Sequence, residues 1–363
     1  MRVYIDSRPL LEENPGGIGL YTQRIMQALI EVNPDVDFVT FLNRKHSQSD
    51  KAMPGMGRLK IQSTRIPPKI LHGMFWLFRR PSLERIVGLC DCYFFPNIIF
   101  TPRLTRPYVL TVHDLSYIRI PEVYAPTARL WHRAVRSREL IQNAKRIITV
   151  SEATAVDVKK QFPEKADVVR TVQSAVWRPE RQERKEPSHF LVIGLIEERK
   201  NIYGVLKACE IIRRKRVDFP KILFIGKRGY LKKVTKRLFE KQKSLGWIEE
   251  RGYVTEQEKL EVLARSYALI FASYYEGFGF PGLEAIVSGV PVIASRSTSL
   301  PELYQQAGVY IDPYNQREIA SAIEYMFDKR PTAQSTPSIL RRTWVDVAQE
   351  TMHVIKEAYD DRN

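Results

Sequence analysis

Short apolar runs alternate with longer segments of helical period along nearly the whole chain. RVYID (2–6), DFVTFL (37–42), RLKIQS (58–63), CYFFPN (92–97), YVLTVHD (108–114), RIITVS (146–151) and DVVRTV (167–172) read as strands of a first half. HFLVIGLI (189–196), KILFIG (221–226), ALIFAS (268–273), PVIAS (291–295) and GVYID (308–312) read as strands of a second. Amphipathic patterns between them predict helices over 18–32, 126–143, 152–161, 201–215, 256–265 and 317–328. Repeated strand–helix alternation implies parallel sheets covered by helices on both faces.

Polar, proline-bearing WRPERQERKEPS (177–188) separates the halves and has the composition of a linker. The pattern therefore predicts an N-terminal domain over 1–178 and a second over 189–335. The segment 336–363 carries a closing helical pattern, TWVDVAQETMHVIKEAY (343–359), expected to pack back on the first domain. A chain of 363 residues exceeds a single core of usual size, which agrees with two domains. Two doubly wound domains facing one another would set their strand carboxyl ends around a shared cleft, where ligands of open α/β sheets bind.

The candidate chemistry gathers at such ends. In YYEGFGFPGLEAIVSGVPVIAS (274–295), a loop follows the strand ALIFAS, and Pro281 suits the first turn of the next helix. Amides around Phe280, Pro281, Gly282 and Leu283 would then form an anion site, strengthened by the helix dipole. Glu276 in the loop with Gly277 and Phe278, and Glu284 in the first helical turn, would flank that anion. A carboxylate accepts two hydroxyl hydrogen bonds at once, which suits the diols of ribose or of a sugar. Each glutamate alone also fits a structural role, at a helix start or holding a loop. GLIEERKN (194–201) follows a strand and opens a helix, placing Arg199 and Lys200 to reach a diphosphate; as bare surface cations they would need no ligand. Gly16 and Gly17 in NPGGIGLYTQRI (14–25) form a Gly-rich turn without GxGxxG spacing, where backbone can approach phosphate or sugar. His113, in TVHDLSY (111–117), ends a strand of the first half, a functional location although a lone His is more often structural.

Composition narrows the classes. Hydrophobic content of 44% with 27% charged residues is that of a soluble globular protein. Cys90, Cys92 and Cys209 have neither disulfide-framework nor metal-site spacing and are expected as buried free thiols. MRVYIDSRPL lacks a signal-peptide core, and no run reaches the roughly 20 apolar residues of a membrane span. A cytoplasmic protein, or one lying on the inner face of a membrane, is expected. Asp35 and Asp37 form an Asp-x-Asp at the start of a strand, read as solvated turn residues rather than metal ligands.

A net charge of +16 requires an account. Nucleic acid, anionic lipid headgroups and phosphate-bearing small molecules are candidate partners. Within the basic stretch GKRGYLKKVTKRLFEKQK (226–243), residues 230–243 read as a solvated, Lys-rich helix face. ILHGMFWLFRRP (70–81) reads either as an edge docking on an anionic membrane or as a buried helix of the first domain.

Taken in order, GGIG (16–19), VHDLS (112–116), VSEAT (150–154), GLIEERKN (194–201), GKRGY (226–230), GYV (252–254), EGFGFPGLEA (276–285), SGVPVIAS (288–295) and SLPEL (299–303) resemble glycosyltransferase family 4. The resemblance covers nearly the whole chain and is greatest to bacterial mannosyl- and rhamnosyl-type transferases. It implies a GT-B fold of two Rossmann-like domains and retaining, metal-independent transfer of a hexose from a nucleoside-diphosphate sugar, GDP-mannose first, with no cofactor. It implies a glycan or lipid-linked acceptor in polysaccharide assembly. Glu276 would contact the donor sugar and Glu284 the ribose. Arg199, Lys200 and the 280–283 amides would hold the diphosphate, His113 would lie beside the transferred sugar, and Gly17 near the diphosphate. Leu195 stands where many relatives carry Arg, and Ala272 where many carry Pro, but neither position bears the charge chemistry. Nucleotide-sugar epimerisation on the same fold is the rival enzyme reading, and would need paired carboxylates in the first half. A basic nucleic-acid-binding protein is the rival outside enzymes; nucleic acid is not expected as a partner, because the motifs gather at cleft positions rather than on one basic face.

Overall fold

The computed structural model of the chain describes residues 1–11, 16–43, 56–64, 66–178, 183–331 and 335–361. Asn14 and Pro15 of the Gly-rich turn, residues 44–55, 179–182 of the linker and 332–334 lie outside the described residues. The chain divides into two compact units: Met1–Leu115, Thr127–Ala175 and Arg342–Asn363 form unit 1, and Ser116–Pro126 with Val176–Arg341 form unit 2. A single break in the linker therefore does not describe the division, since 116–126 and 336–341 both group with unit 2.

Unit 1 begins with β1 (Arg2–Ile5), α1 (Gly17–Val32), β2 (Asp37–Asn43), β3 (Lys60–Thr64), α2 (Pro68–Leu77), α3 (Leu83–Val87), β4 (Cys92–Phe95) and β5 (Tyr108–Val112). After α4 (Ser116–Arg119), which counts with unit 2, come α5 (Pro126–Ala134), α6 (Ser137–Asn143), β6 (Arg146–Thr149), α7 (Glu152–Gln161) and β7 (Val169–Thr171). All pairings are parallel, in the order β3-β2-β1-β4-β5-β6-β7. The helix expected over 126–143 is broken, because Val135 and Arg136 interrupt it and Arg136 sits at φ 56. Helix α2 is buried along one side only: Leu71 and Phe75, four residues apart, are buried, while Ile70, Trp76, Leu77 and the following Phe78 are exposed.

Unit 2 runs β8 (His189–Ile193), α8 (Ile202–Arg213), β9 (Lys221–Ile225), α9 (Lys233–Ser244), β10 (Ile248–Gly252), α10 (Glu256–Ala264), β11 (Ser266–Phe271), α11 (Phe280–Val287), β12 (Val292–Ser295), α12 (Leu300–Tyr304), β13 (Gly308–Ile311) and α13 (Gln316–Lys329). Its sheet, also parallel, has the order β10-β9-β8-β11-β12-β13. Strand β10 escapes the hydrophobic pattern because IEERG, on the sheet edge, has Ile248 as its one large apolar residue. In α9 the lysines are exposed and Thr235, Phe239 and Gln242 are buried, the solvated basic face that its sequence predicts. The three cysteines are free and buried.

The closing helix α14 (Trp344–Asp360) returns to unit 1. Thr343 and Asp346 form its capping box, and Trp344 meets Tyr21 of α1 edge-on at 5.9 Å between centroids. Arg146 and Arg170 hold Glu357 at 2.9 and 3.1 Å. Among the described residues no helix is long and apolar enough to cross a membrane.

Candidate functional site

In both sheets the strand order reverses beside the first strand, between β1 and β4 and between β8 and β11. Carboxyl ends at such a reversal open a crevice in doubly wound sheets. In unit 2 two motifs meet there. Past β8, Ile196 N–H donates to Lys227 O at 2.9 Å and Glu198 N–H to Tyr230 O at 3.0 Å, lacing this loop to the one after β9. Glu198–Lys200 then make one tight turn, closed by Asn201 at φ 55, a left-handed position that Asn tolerates better than most side chains. Asn201 Oδ1 accepts from Gly204 N–H at 3.0 Å and so caps α8. Tyr274 N–H donates to Arg199 O at 2.9 Å, tying the loop after β11 to the loop after β8.

Three of the expected site residues therefore converge. Lys200 Nζ donates to Glu276 Oε1 at 2.6 Å, and Arg199 Nη1 lies 3.1 Å from Oε2. Arg199 also donates to Tyr275 O at 2.8 Å and pairs with Glu197 at 2.9 Å, so two cations face two carboxylates. Glu276 is only 7% exposed. Burial alone would raise its pKa, but the Arg199 and Lys200 charges outweigh it and hold the carboxyl at about 2. Burial holds the Lys200 ammonium below its ordinary range despite that carboxylate, and it rests 4.3 Å over the Phe271 ring. Glu276 N–H donates to Thr298 Oγ1 at 3.0 Å and its carbonyl accepts from Ser299 Oγ at 2.9 Å, which fixes the loop. This is an ionised, dehydrated and rigidly mounted cluster.

Glu284 differs from its expected place. Helix α11 starts at Phe280, so Glu284 falls in the second turn rather than the first, and the carboxylate is 6% exposed. Its partner is Lys259 of α10, whose Nζ donates to Oε2 at 2.9 Å and also meets Glu256 at 2.8 Å. Burial raises the Glu284 pKa against the pull of Lys259, while Lys259 is itself raised because the two carboxylates outweigh its burial. Lys259 was not foreseen; the Thr255–Glu258 capping box marks the start of α10, but no local signal says that this lysine turns inward.

The anion site read over 280–283 is smaller than expected. Pro281 has no N–H, and the Gly282 N–H donates to Gly279 O at 3.2 Å. Phe278 and Leu283 are buried core side chains, with Phe278 against Phe280 at 4.7 Å. The glycines have a packing cause: Gly279 sits at φ 89, and a Cβ on Gly282 would lie 2.1 Å from the Tyr304 hydroxyl, which donates to Gly279 O at 2.7 Å. Gly277 lies in the loop beside Glu276.

The remaining expected residues belong to unit 1. His113 follows β5, half-buried, with Nε2 2.8 Å from Pro96 O and its ring edge-on to Tyr21 at 4.8 Å. A carbonyl only accepts, so Nε2 carries the proton, and burial keeps the imidazole neutral by lowering its pKa. Gly16 caps α1 and Gly17 opens it, both exposed. Sequence reasoning missed the buried Asp6–Arg8 pair after β1, where Arg8 Nε donates to both Asp6 oxygens at 2.9 and 3.0 Å and Nη1 to Phe100 O at 2.7 Å. Asp37 pairs with Arg2 and Lys60, and among the described residues no three His, Cys, Asp or Glu side chains converge.

Two parallel α/β units of this topology have the GT-B fold. WaaG, a glycosyltransferase involved in lipopolysaccharide biosynthesis, shares the fold at TM-score 0.64 and 14% identity over 99% of both chains. Sucrose-phosphate synthase from Thermosynechococcus elongatus shares it at TM-score 0.66 and 15% identity, over 99% of this chain and 97% of that one. The chain belongs to glycosyltransferase family 4: the Glycosyltransferase Family 4 model matches residues 15–176 and the Glycosyl transferases group 1 model matches 173–341. It is 28% identical to O-antigen chain mannosyltransferase B of Escherichia coli, over 94% of this chain and 96% of that protein. It is 24% identical to the MMP alpha-(1->4)-mannosyltransferase of Mycolicibacterium hassiacum, over 69% of this chain and 66% of that protein. These relatives bear transferase names, and the epimerase alternative gains no support from them.

Proposed function

We propose that this glycosyltransferase moves a mannosyl residue from GDP-mannose to a glycan or lipid-linked acceptor in polysaccharide assembly, with retention and without a metal. The observation that carries the reading is Glu276 clamped between Arg199 and Lys200 at the sheet reversal of unit 2. Mannose is preferred because O-antigen chain mannosyltransferase B aligns over 94% of the chain. In this reading Arg199 and Lys200 turn part of their donor capacity to the diphosphate, whose growing negative charge they stabilise as the sugar leaves. Glu276, kept ionised by the same cations, accepts from the sugar hydroxyls, and Glu284 accepts from the ribose. The Phe280 and Leu283 end of α11 is assigned to the phosphates, Gly16 and Gly17 to the diphosphate, and His113 to the transferred sugar. The acceptor is met on the cytoplasmic side, at an anionic membrane face that attracts a chain of net charge +16.

A thermal-shift screen against GDP-mannose and UDP-, ADP- and dTDP-sugars tests the donor, because a ligand binding only the native state raises its melting temperature. GDP-mannose should give the largest shift, and transfer from it should survive excess EDTA. Selective stabilisation by another nucleotide sugar overturns the donor assignment. Activity lost to EDTA and restored by manganese or magnesium overturns metal independence.

A further inference from the structure

Unit 1 holds a second charged site, away from His113. A cavity of about 220 Å³ is lined by Tyr108, the first residue of β5, and by Asn143, the last of α6. His113 follows the other end of the same five-residue strand, roughly 16 Å on. Three arginines, Arg79, Arg103 and Arg136, line the cavity with one carboxylate, Glu139. Arg79 pairs with Glu139, and Arg136 Nη1 lies 3.9 Å from it, which leaves an excess of positive charge in the wall. Arg79 and Arg136 also hold φ values of 54 and 56, a conformation that side-chain-bearing residues adopt at a cost and that concentrates at functional sites.

The rim is apolar. Trp76 lines the cavity while 46% exposed, and Phe78, two residues on, is 69% exposed. Phe100 joins the two helical walls, stacked on His72 of α2 at 5.8 Å and edge-on to Trp131 of α5 at 6.0 Å. Leu77, Leu130 and Trp131 add exposed apolar surface beside it. The volume is below the ~300–1,000 Å³ of pockets that enclose whole small ligands, so it suits a phosphate-sized group rather than a nucleotide sugar. Guanidinium forks match phosphate oxygens, and an amphipathic aromatic rim matches the boundary between headgroup and acyl chain.

We propose that this cavity takes the phosphate of an anionic phospholipid headgroup, while the exposed apolar side chains of α2 and α5 enter the acyl boundary around it. The proposal deepens the membrane-face part of the proposed function and rests on it. The full chain is co-sedimented with phosphatidylcholine vesicles, with and without phosphatidylglycerol. Three variants accompany it: Arg103→Ala, Trp76→Ser and, as a charge control in unit 2, Lys241→Ala. All three side chains are exposed, and equal melting temperatures verify the folds. Wild type should prefer the anionic vesicles, and salt should weaken that preference. Arg103→Ala should bind about fivefold more weakly, the factor one cation contributes beside an anionic surface. Trp76→Ser should weaken binding to a similar degree, Lys241→Ala should leave it unchanged, and transfer to a soluble acceptor should be unaltered in all three. Equal binding to both vesicle types, or none, overturns the membrane reading and this site together. Anionic preference with Arg103→Ala no weaker than Lys241→Ala overturns the site alone. Binding of inorganic phosphate, or of an oligonucleotide, that depends on Arg103 without vesicle binding overturns the lipid assignment.

Discussion

Glu276 and Lys200 form a buried pair whose two halves are not equivalent, and this asymmetry can be measured. Their side chains are 8% and 10% exposed. Glu276→Gln removes the carboxylate and leaves Lys200 against the Phe271 ring, while Arg199 keeps Glu197 and Tyr275 O. An uncompensated buried charge of this kind costs about 3–5 kcal/mol. Lys200→Met is milder, because Arg199 still holds Glu276 at 3.1 Å; loss of a charged hydrogen bond costs about 1.5–3 kcal/mol. Additivity would place the double variant at the sum of these. Removing Lys200 from the Glu276→Gln background instead removes the stranded charge, so the double variant should be no less stable than Glu276→Gln alone. Calorimetry at pH 7 reads the difference, at about 2–4 °C per kcal/mol for a unit of this size. The pH dependence has a definite sign. With a folded pKa of about 2 against about 4.3 in the unfolded chain, Glu276 contributes fully above roughly pH 5. The gap between wild type and Glu276→Gln should then close as the pH falls from about 4 toward 2. Additive losses at pH 7, or a gap that persists at pH 2, would refute the coupled-pair account.

Two further outcomes follow from the neighbouring packing. Lys259→Met removes the charge that opposes the burial of Glu284, so the carboxyl pKa should rise further; the acid limb of 1/KM for the donor should move to higher pH with kcat little changed, and a static or downward-moving limb contradicts the pairing. Gly282→Ala places a methyl where the Tyr304 hydroxyl lies 2.1 Å away, so it should destabilise by about 1–3 kcal/mol, and Tyr304→Phe should relieve part of that in urea denaturation; a neutral Gly282→Ala shows that α11 shifts freely.

Most of the sheet architecture can be read in the chain because strands buried on both faces are continuous apolar runs, as in β5 and β11. Edge strand β10 has no such need and carries Glu249, Glu250 and Arg251 instead. The break before α6 is set by backbone conformation at Arg136, which composition does not reveal. Arg199, Lys200 and Glu276 were legible because two loops following neighbouring strands must meet, whatever their separation in sequence. What those side chains do to one another was not legible, since two cations and a glutamate beside a ligand look the same in sequence as two cations gripping that glutamate. Lys259, Asp6 and Arg8 were missed for a related reason: nothing adjacent in sequence marks a charged residue as buried. In sequence the Gly282 amide reads as part of an anion site, whereas the structure sets both Gly279 and Gly282 against the hydroxyl of Tyr304.

The central claim is that the clamped Glu276 acts on the sugar as it is transferred, whereas Glu284 acts on a part of the donor that does not change. Steady-state transfer by Glu276→Gln and Glu284→Gln, with the donor chosen by the thermal screen and below both melting transitions, tests it most directly. Contacts that strengthen only in the transition state appear in kcat, and uniform contacts appear in KM. Glu276→Gln should lower kcat by about tenfold to a hundredfold with KM changed little, the equivalent of one charged hydrogen bond. Glu284→Gln should raise KM by a similar factor and spare kcat. A Glu276→Gln enzyme that is folded and turns over at the wild-type kcat would contradict the account.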